Sequence, residues 1–423
     1  MRAWPLLFLS LLAPEVSAQN LHDDALDEGS LEELRRLRAR VEALEGRETV
    51  PGGHSIDLSG DELPALQAST NHVLSRPWYE NAELHGYGAM TYLDSGGTGT
   101  TPDGSFLIRE SSLFLEMQLW EGITLFNEVW LRRYLFGNGI TLGEIYLQHR
   151  DVFGLGPEHA IGLKAGRFEI PFGEDYLLWD AHESPLINFA AADPYGIDEG
   201  VELYGRVGPV GWIGALTNGG GGVNDENPGK QGAVKLYGRP YRDVYLSGSV
   251  LSTGDTAGSD FRLSGNPLQP VAGSSSTSIE ARLWELDVHV AEERPVSLAL
   301  QYGSGTIDDE DDAFDRSLSW YSVMPRVHVR SDLEVVVRLS AIGTFDGDEG
   351  YRFSGKHVAD AQTLGFDTRS LTRLSTGLCW KINPNLALKV EVGKDRIELV
   401  NGSVLDEEND ERMFFGVELV GSF

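Results

Sequence analysis

From Trp78 to Phe423 the hydrophobic residues recur at every second position. Leu113, Leu115, Met117 and Leu119 share one parity, while Ser112, Glu116 and Gln118 share the other. Leu333, Val335, Val337 and Leu339 alternate with Glu334, Arg338 and Ser340, and Leu386, Leu388, Val390 and Val392 with Lys389 and Glu391. Successive side chains of an extended strand point to opposite faces, so each stretch predicts a strand with one apolar and one wet face. The last eleven residues keep the period: Met413, Phe415, Val417, Leu419 and Phe423 oppose Phe414, Gly416, Glu418, Val420 and Ser422, with Gly421 breaking the apolar row. Terminal residues usually fray, whereas the last strand of a closed barrel must zip against the first. A final buried strand of a soluble sandwich is the alternative.

About sixteen such strands are expected, an even count that lets antiparallel neighbours close a ring. Their centres lie near Gly88, Leu113, Val129, Ile145, Leu163, Leu203, Ile213, Leu236, Leu246, Leu286, Leu298, Val323, Val337, Leu374, Leu388 and Val417. The connections alternate in length. Short ones are Trp120–Gly122, Gly154–Pro157, Val207–Pro209, Pro240–Arg242, Glu292–Arg294, Arg330–Asp332 and Ile382–Asn385. Long ones are expected near 94–106, 168–198, 219–231, 253–277, 303–316, 343–369 and 395–411, with Phe136–Gly139 the one tight turn on that side. Short turns on one rim and long loops on the other are the organisation of an outer-membrane barrel. The fold class predicted is an all-β, sixteen-stranded antiparallel transmembrane β-barrel preceded by a short N-terminal coiled-coil helix.

The preceding residues divide into three. Residues 1–18 read as a signal peptide: Arg2, the apolar run Leu6–Leu12, Pro14, and a small-residue cleavage site at Val16-Ser17-Ala18. Residues 19–46 read as a periplasmic helix, with Ser30 and Glu33 as a capping box and Gly46 as a stop. Leu34, Leu37, Val41 and Leu44 follow the spacing of a coiled-coil seam. Two heptads are too short to associate alone, yet subunits already gathered in a membrane raise their effective concentration. Packing of an isolated amphipathic helix on its own barrel is the other reading. Residues 47–77, with Pro51, Gly52, Gly53, Pro64 and Pro77, read as a linker, and 78–423 as the barrel.

Composition agrees with strands that are apolar on one face only. The 423 residues include 50 Gly, 17 Phe, 14 Tyr and 9 Trp, with a mean hydropathy of −0.21. No run of eighteen apolar residues is present to form a spanning helix. A single cysteine, Cys379, rules out an intrachain disulfide. The formal net charge of −31 argues against nucleic acid as a partner.

Three segments carry a family likeness: Lys164-Ala-Gly-Arg-Phe-Glu-Ile-Pro-Phe-Gly173, Gly196-Ile-Asp-Glu-Gly-Val-Glu-Leu-Tyr-Gly205, and the closing hairpin through Asn383-Pro384-Asn385. In order and spacing, residues 78–423 resemble the phosphate-selective porin O and P family. That resemblance implies a trimeric porin with its channel narrowed by the inward-folding loop 168–198. The expected partners are outer-membrane lipid and lipopolysaccharide, two further copies of the chain, the barrel-assembly machinery that reads Phe423, and peptidoglycan beneath. The location implied is the outer membrane of a Gram-negative-type bacterium, with the N-terminal segment in the periplasm.

The chemistry of the predicted pore departs from the family's specificity. Selecting phosphate requires Arg and Lys at the constriction, because an anion shedding water needs charge-assisted donors. The loop instead offers Glu169, Glu174, Asp175, Asp180 and Glu183, with His182 within it and Arg167 at its rim. The inward strand positions are mixed. Arg132, Lys164, Arg206, Lys235, Arg239, Arg326, Arg338, Arg373 and Lys389 stand against Glu116, Glu128, Glu144, Glu202, Glu334, Glu391 and Glu418. Phosphate specificity is therefore not carried over, and a cation-preferring or weakly selective channel is expected.

Other candidates carry less. Asp308–Asp312 and Asp406–Glu411 lack the glycine and terminal glutamate of a helix-loop-helix calcium site and read as acidic loop tips. Gly219–Gly222 does not join a strand to a helix, so it is no phosphate cradle. His149, His289 and His328 fall on strands with no serine tied to them by a motif. Neither an enzyme, a cofactor nor a metal is expected. Two classes of function remain: a passive diffusion channel for small hydrophilic or ionic solutes, and a structural protein tethering the outer membrane to the cell wall through its coiled coil. A true anion-selective porin is the second alternative.

Overall fold

A computed structural model of the chain describes residues 81–95, 101, 103–132, 139–156, 160–174, 180–191, 196–219, 229–255, 278–292, 294–310, 315–344, 368–399 and 411–423. The signal peptide, coiled-coil helix and linker assigned to 1–77 lie outside the described residues.

The described chain is a closed ring of sixteen antiparallel strands, each bonded to its sequence neighbours. The first eight are β1 (Ala82–Asp94), β2 (Ser105–Trp120), β3 (Ile123–Arg132), β4 (Gly139–His149), β5 (Ile161–Glu169), β6 (Ile197–Val207), β7 (Val210–Thr217) and β8 (Gln231–Tyr241). The rest are β9 (Val244–Ser252), β10 (Ile279–Val290), β11 (Val296–Asp309), β12 (Arg316–Arg330), β13 (Leu333–Thr344), β14 (Thr368–Asn383), β15 (Leu386–Leu399) and β16 (Glu411–Ser422). All sixteen predicted centres fall inside these strands. The ring closes between β1 and β16, from Tyr87 opposite Ser422 to Asp94 opposite Phe415. Gly86 and Phe423 then exchange two backbone bonds of 3.2 and 3.0 Å. Closure removes the edges that lipid would leave unsatisfied.

Side-chain parity follows the pattern. Met413, Phe415 and Leu419 on β16, Leu374 and Leu378 on β14, and Val234 and Leu236 on β8 are exposed on the outer face. Their neighbours Phe414, Glu418, Arg373 and Lys235 are buried inside. The described core is thus inside the barrel, where Phe114, Phe126, Tyr146, Phe168 and Trp320 of the wall cluster with Ile170, Phe172 and Ala181 of the β5–β6 loop.

Two loops are shorter than expected. Residues 303–309 and 395–399 belong to β11 and β15. Gly303, Ser304 and Gly305 look like loop residues, but a Cβ at Gly303 would overlap the Trp320 indole across the ladder. The glycine makes room for an inward tryptophan. It marks a close approach within a strand and not a turn.

Candidate functional site

The segment between β5 and β6 folds into the barrel. Its described part, residues 170–174, 180–191 and 196, leaves β5 and reaches the inner wall of β13, eight places further in a ring of sixteen. Opposite strands are therefore joined across the lumen by this loop. Leu186, Ile187, Asn188 and Ala191 are each 0 % exposed. A Cβ at Gly377 of β14 would meet Leu186, so a side chain is excluded where the loop rests on the wall.

An irregular backbone in a dry place needs partners for every N–H and C=O. Charged wall residues supply them. On β8, Lys235 donates to the Gly173 carbonyl at 2.7 Å and pairs with Glu174 at 2.9 Å, while Ser249 of β9 accepts from the Gly173 N–H at 2.9 Å. On β15, Lys389 donates to the Ala181 carbonyl and pairs with Glu418 at 2.9 Å. Glu391 accepts the N–H groups of Ile187 and Asn188 at 2.7 and 2.8 Å with one oxygen. Arg338 donates to the Asn188 carbonyl. Arg373 donates to the Phe189 carbonyl at 3.1 Å while its fork holds Asp395 at 2.7 and 2.6 Å. Ser340 accepts from the Ala191 N–H at 2.8 Å.

These contacts revise the reading of the pore. Lys235, Arg338, Arg373, Lys389, Glu391 and Glu418 are buried inside the barrel; the first five bond the loop directly, and Glu418 holds Lys389 in place. Glu128, Glu144, Lys164 and Glu202 also point inward and are buried. Lys164 pairs with Glu202 at 3.3 Å and lies over the Tyr146 and Phe168 rings at 4.7 and 5.5 Å. Glu128 and Glu144 accept the backbone N–H groups of Glu144 and Glu169 at 3.3 and 2.9 Å. The wall residues that keep access to water are Glu116, Arg206, Arg239, Arg326 and Glu334, all toward the short-turn rim. Arg132 ends β3, and its side chain lies outside the described residues.

The loop's carboxylates change meaning as well. Glu174 is neutralised by Lys235 and accepts from the Tyr245 hydroxyl. Asp180 accepts from the Tyr87 hydroxyl at 2.9 Å, and burial, with Glu110 and Glu128 nearby, pushes its carboxyl well above the usual aspartate range. Neither is a free charge aimed at passing ions. Asp175 lies outside the described residues, and Glu169 closes β5 half-buried. Arg167 is not at the constriction. It shares the outward parity of Leu163 and Ala165, and it pairs with the outward Glu199 at 3.0 Å.

Among the described residues, a cavity of about 280 Å³ lies between the loop and the short-turn rim. His182, Glu183, Ser184 and Pro185 line it from the loop, and His289, Glu292, Arg326, His328, Glu334 and Lys381 from the wall and its turns. Glu292, in the β10–β11 turn, accepts from Arg239 and bonds His289, both at 2.7 Å; the His289 bond foremost lowers its carboxyl to about 2.

The barrel fold recurs in known structures. OmpT, an outer membrane protein of Vibrio cholerae, superposes with a TM-score of 0.54 over 81 % of this chain and 97 % of its own, at 10 % identity. An anion-selective porin from Comamonas acidovorans gives 0.53 over 81 % and 99 % at 11 % identity. The outer membrane channel DcaP of Acinetobacter baumannii gives 0.53 over 81 % and 97 % at 10 % identity. The shared property is the fold. No protein-family model matches the sequence, and no curated protein sequence is similar to it.

Alternation alone misses part of the site. Arg109 and Glu110 are adjacent, yet both are buried inside: a bulge opposite Ala89 and Met90 leaves Arg109 without a ladder partner and turns both side chains inward. Arg109 then joins Lys389 on Glu418 at 2.9 Å, and Glu110 accepts the Ala181 N–H at 3.2 Å. Two charges in succession on an otherwise amphipathic strand are the available signal. Glu285 and Asp287 of β10 were legible by parity, since Trp284 and Leu286 beside them face outward.

Proposed function

We propose that this chain is an outer-membrane porin whose lumen carries small hydrophilic or ionic solutes by passive diffusion. The observation that carries the reading is the loop between β5 and β6, tied by charged wall residues across a barrel that is apolar outside. A barrel whose only task was to anchor would have no use for a partition held open on one side. The short-turn rim faces the periplasm and the long loops face outward, where lipopolysaccharide surrounds them. Phe423, paired to Gly86, serves as the signal for barrel assembly. The barrels associate as homotrimers, and the Leu34, Leu37, Val41 and Leu44 seam adds to that association.

The loop anchors bear on the resemblance to phosphate-selective porins. Lys235, Arg338, Arg373 and Lys389 donate to loop carbonyls, and Lys235, Arg373 and Lys389 also pair with carboxylates, so these four do not form an array that strips water from phosphate. The open cavity has three carboxylates, Glu183, Glu292 and Glu334, against Arg326 and Lys381, with Arg239 bonded to Glu292 at 2.7 Å. Weak selectivity at neutral pH follows. Purified protein in a planar bilayer is expected to give discrete conductance steps with a reversal potential near zero. Absence of steps overturns the porin reading, and saturation by phosphate at low concentration restores the family's specificity.

The heptad spacing also favours a second reading, a tether to peptidoglycan. Removing residues 19–77 then leaves conductance unchanged but detaches the outer membrane. An intact envelope after that deletion removes the tether.

A further inference from the structure

Three histidines converge on the open cavity from separate parts of the fold. His182 comes from the loop, His289 from β10 and His328 from β12. No motif links them, and the conduction reading gives them no task. We propose that these three histidines form a proton-operated selectivity switch, turning a weakly selective vestibule at alkaline pH into an anion-preferring one at mildly acid pH. The proposal rests on the porin reading above.

The charge around each ring is fixed by its neighbours. His182 stands 4.0 Å from Glu183, with the Tyr87 ring 4.4 Å away; Asp180, two residues before it, is bonded to Tyr87. His289 bonds Glu292, itself held by Arg239, and has the Tyr245 ring at 5.5 Å. Glu174 and Asp287 share a small neighbouring cavity with His289, and Lys235 and Ser247 occupy those two carboxylates. His328 lies 4.0 Å from Glu334, which is the same distance from Arg326. From β14 the cavity receives Lys381 and the Cys379 thiol, while β11 and β15 bring uncharged residues.

With neutral rings, Glu183, Glu292 and Glu334 face Arg326 and Lys381, and Arg239 bonds Glu292 at 2.7 Å, so carboxylates and permanent cations balance. With all three rings protonated the balance is positive by three. Histidine is the side chain whose ordinary titration falls between pH 5 and 8. Ions crossing a space of about 280 Å³ cannot keep a Debye length from its walls, so salt does not hide such a change. Glu334 supports the assignment: one of its oxygens is buried without a hydrogen bond, with the Arg326 guanidinium and the His328 ring each 4.0 Å away.

The test is the reversal potential of the reconstituted full chain in a potassium chloride gradient, read at pH 8 and pH 5. The wild type is expected to pass from weak selectivity to chloride preference, a several-fold fall in the permeability ratio. The triple variant His182→Gln, His289→Gln, His328→Gln is expected to hold its pH 8 ratio at both values. His328→Gln alone, the most exposed of the three, is expected to lose about a third of the shift if the rings contribute equally, and it guards against misfolding of the triple variant. A wild-type ratio that does not move, or a triple variant that moves as far as the wild type, overturns the switch while leaving the porin intact. A protein that conducts no ions at either pH overturns the porin reading and the switch with it.

Discussion

Arg373 shows how one wall residue governs the loop. Its guanidinium is fully buried, forks onto Asp395 and donates to the Phe189 carbonyl. Replacing it with Met leaves Asp395 buried with its fork gone, a change that costs about 3–5 kcal/mol when one partner of a buried pair is lost. Arg373→Met is expected to lower the temperature at which the barrel unfolds in detergent, and Asp395→Leu on top of it to recover most of the loss. Asp180 gives a pH dependence of known sign. An acid whose pKa is raised in the folded state contributes stability while protonated, fully so below its ordinary 3.8, and loses it as pH rises through the raised value. Loop protection from hydrogen exchange is expected to fall with rising pH in the wild type and to stay level in Asp180→Asn, which still accepts from Tyr87. Equal profiles would show that Asp180 is charged in the docked loop.

At the scale of elements, the loop is a lodged segment held by backbone contacts more than by its own side chains. Glu391 alone takes two successive N–H groups. Hydrogen bonds to a charged group contribute about 1.5–3 kcal/mol each, so Glu391→Ala is expected to weaken docking by about 3 kcal/mol or more. The readouts are faster exchange at Ile187 and Asn188 and noisier open-channel current. Gly377→Val is expected to act through sterics alone, pushing Leu186 off the wall. Little of this was legible in the sequence, for a physical reason. Anchor and loop are 203 residues apart at Asn188 and Glu391, and a bond between a side chain and a distant backbone leaves no local pattern. The inward side of Arg338, Arg373 and Lys389 could be read from parity, but what they bond could not.

For the whole molecule, the sixteen strands were legible because an apolar outer face takes every second side chain, and the alternation of short and long connections gave the ring its two rims. The departures are local. The bulge at Arg109 shifts parity by one, Gly303 imitates a loop while seating Trp320, and Arg167 lies just before a buried phenylalanine but faces outward with Glu199. The central claim is that the docked loop sets the width of a conducting lumen. The direct measurement is single-channel conductance of the wild type beside a variant in which residues 181–191 are replaced by a short Gly-Ser link. Provided the variant still shows the heat-dependent migration of a folded barrel, its conductance is expected to be several times larger and the pH-dependent selectivity lost. Equal conductance from the two barrels would contradict the account.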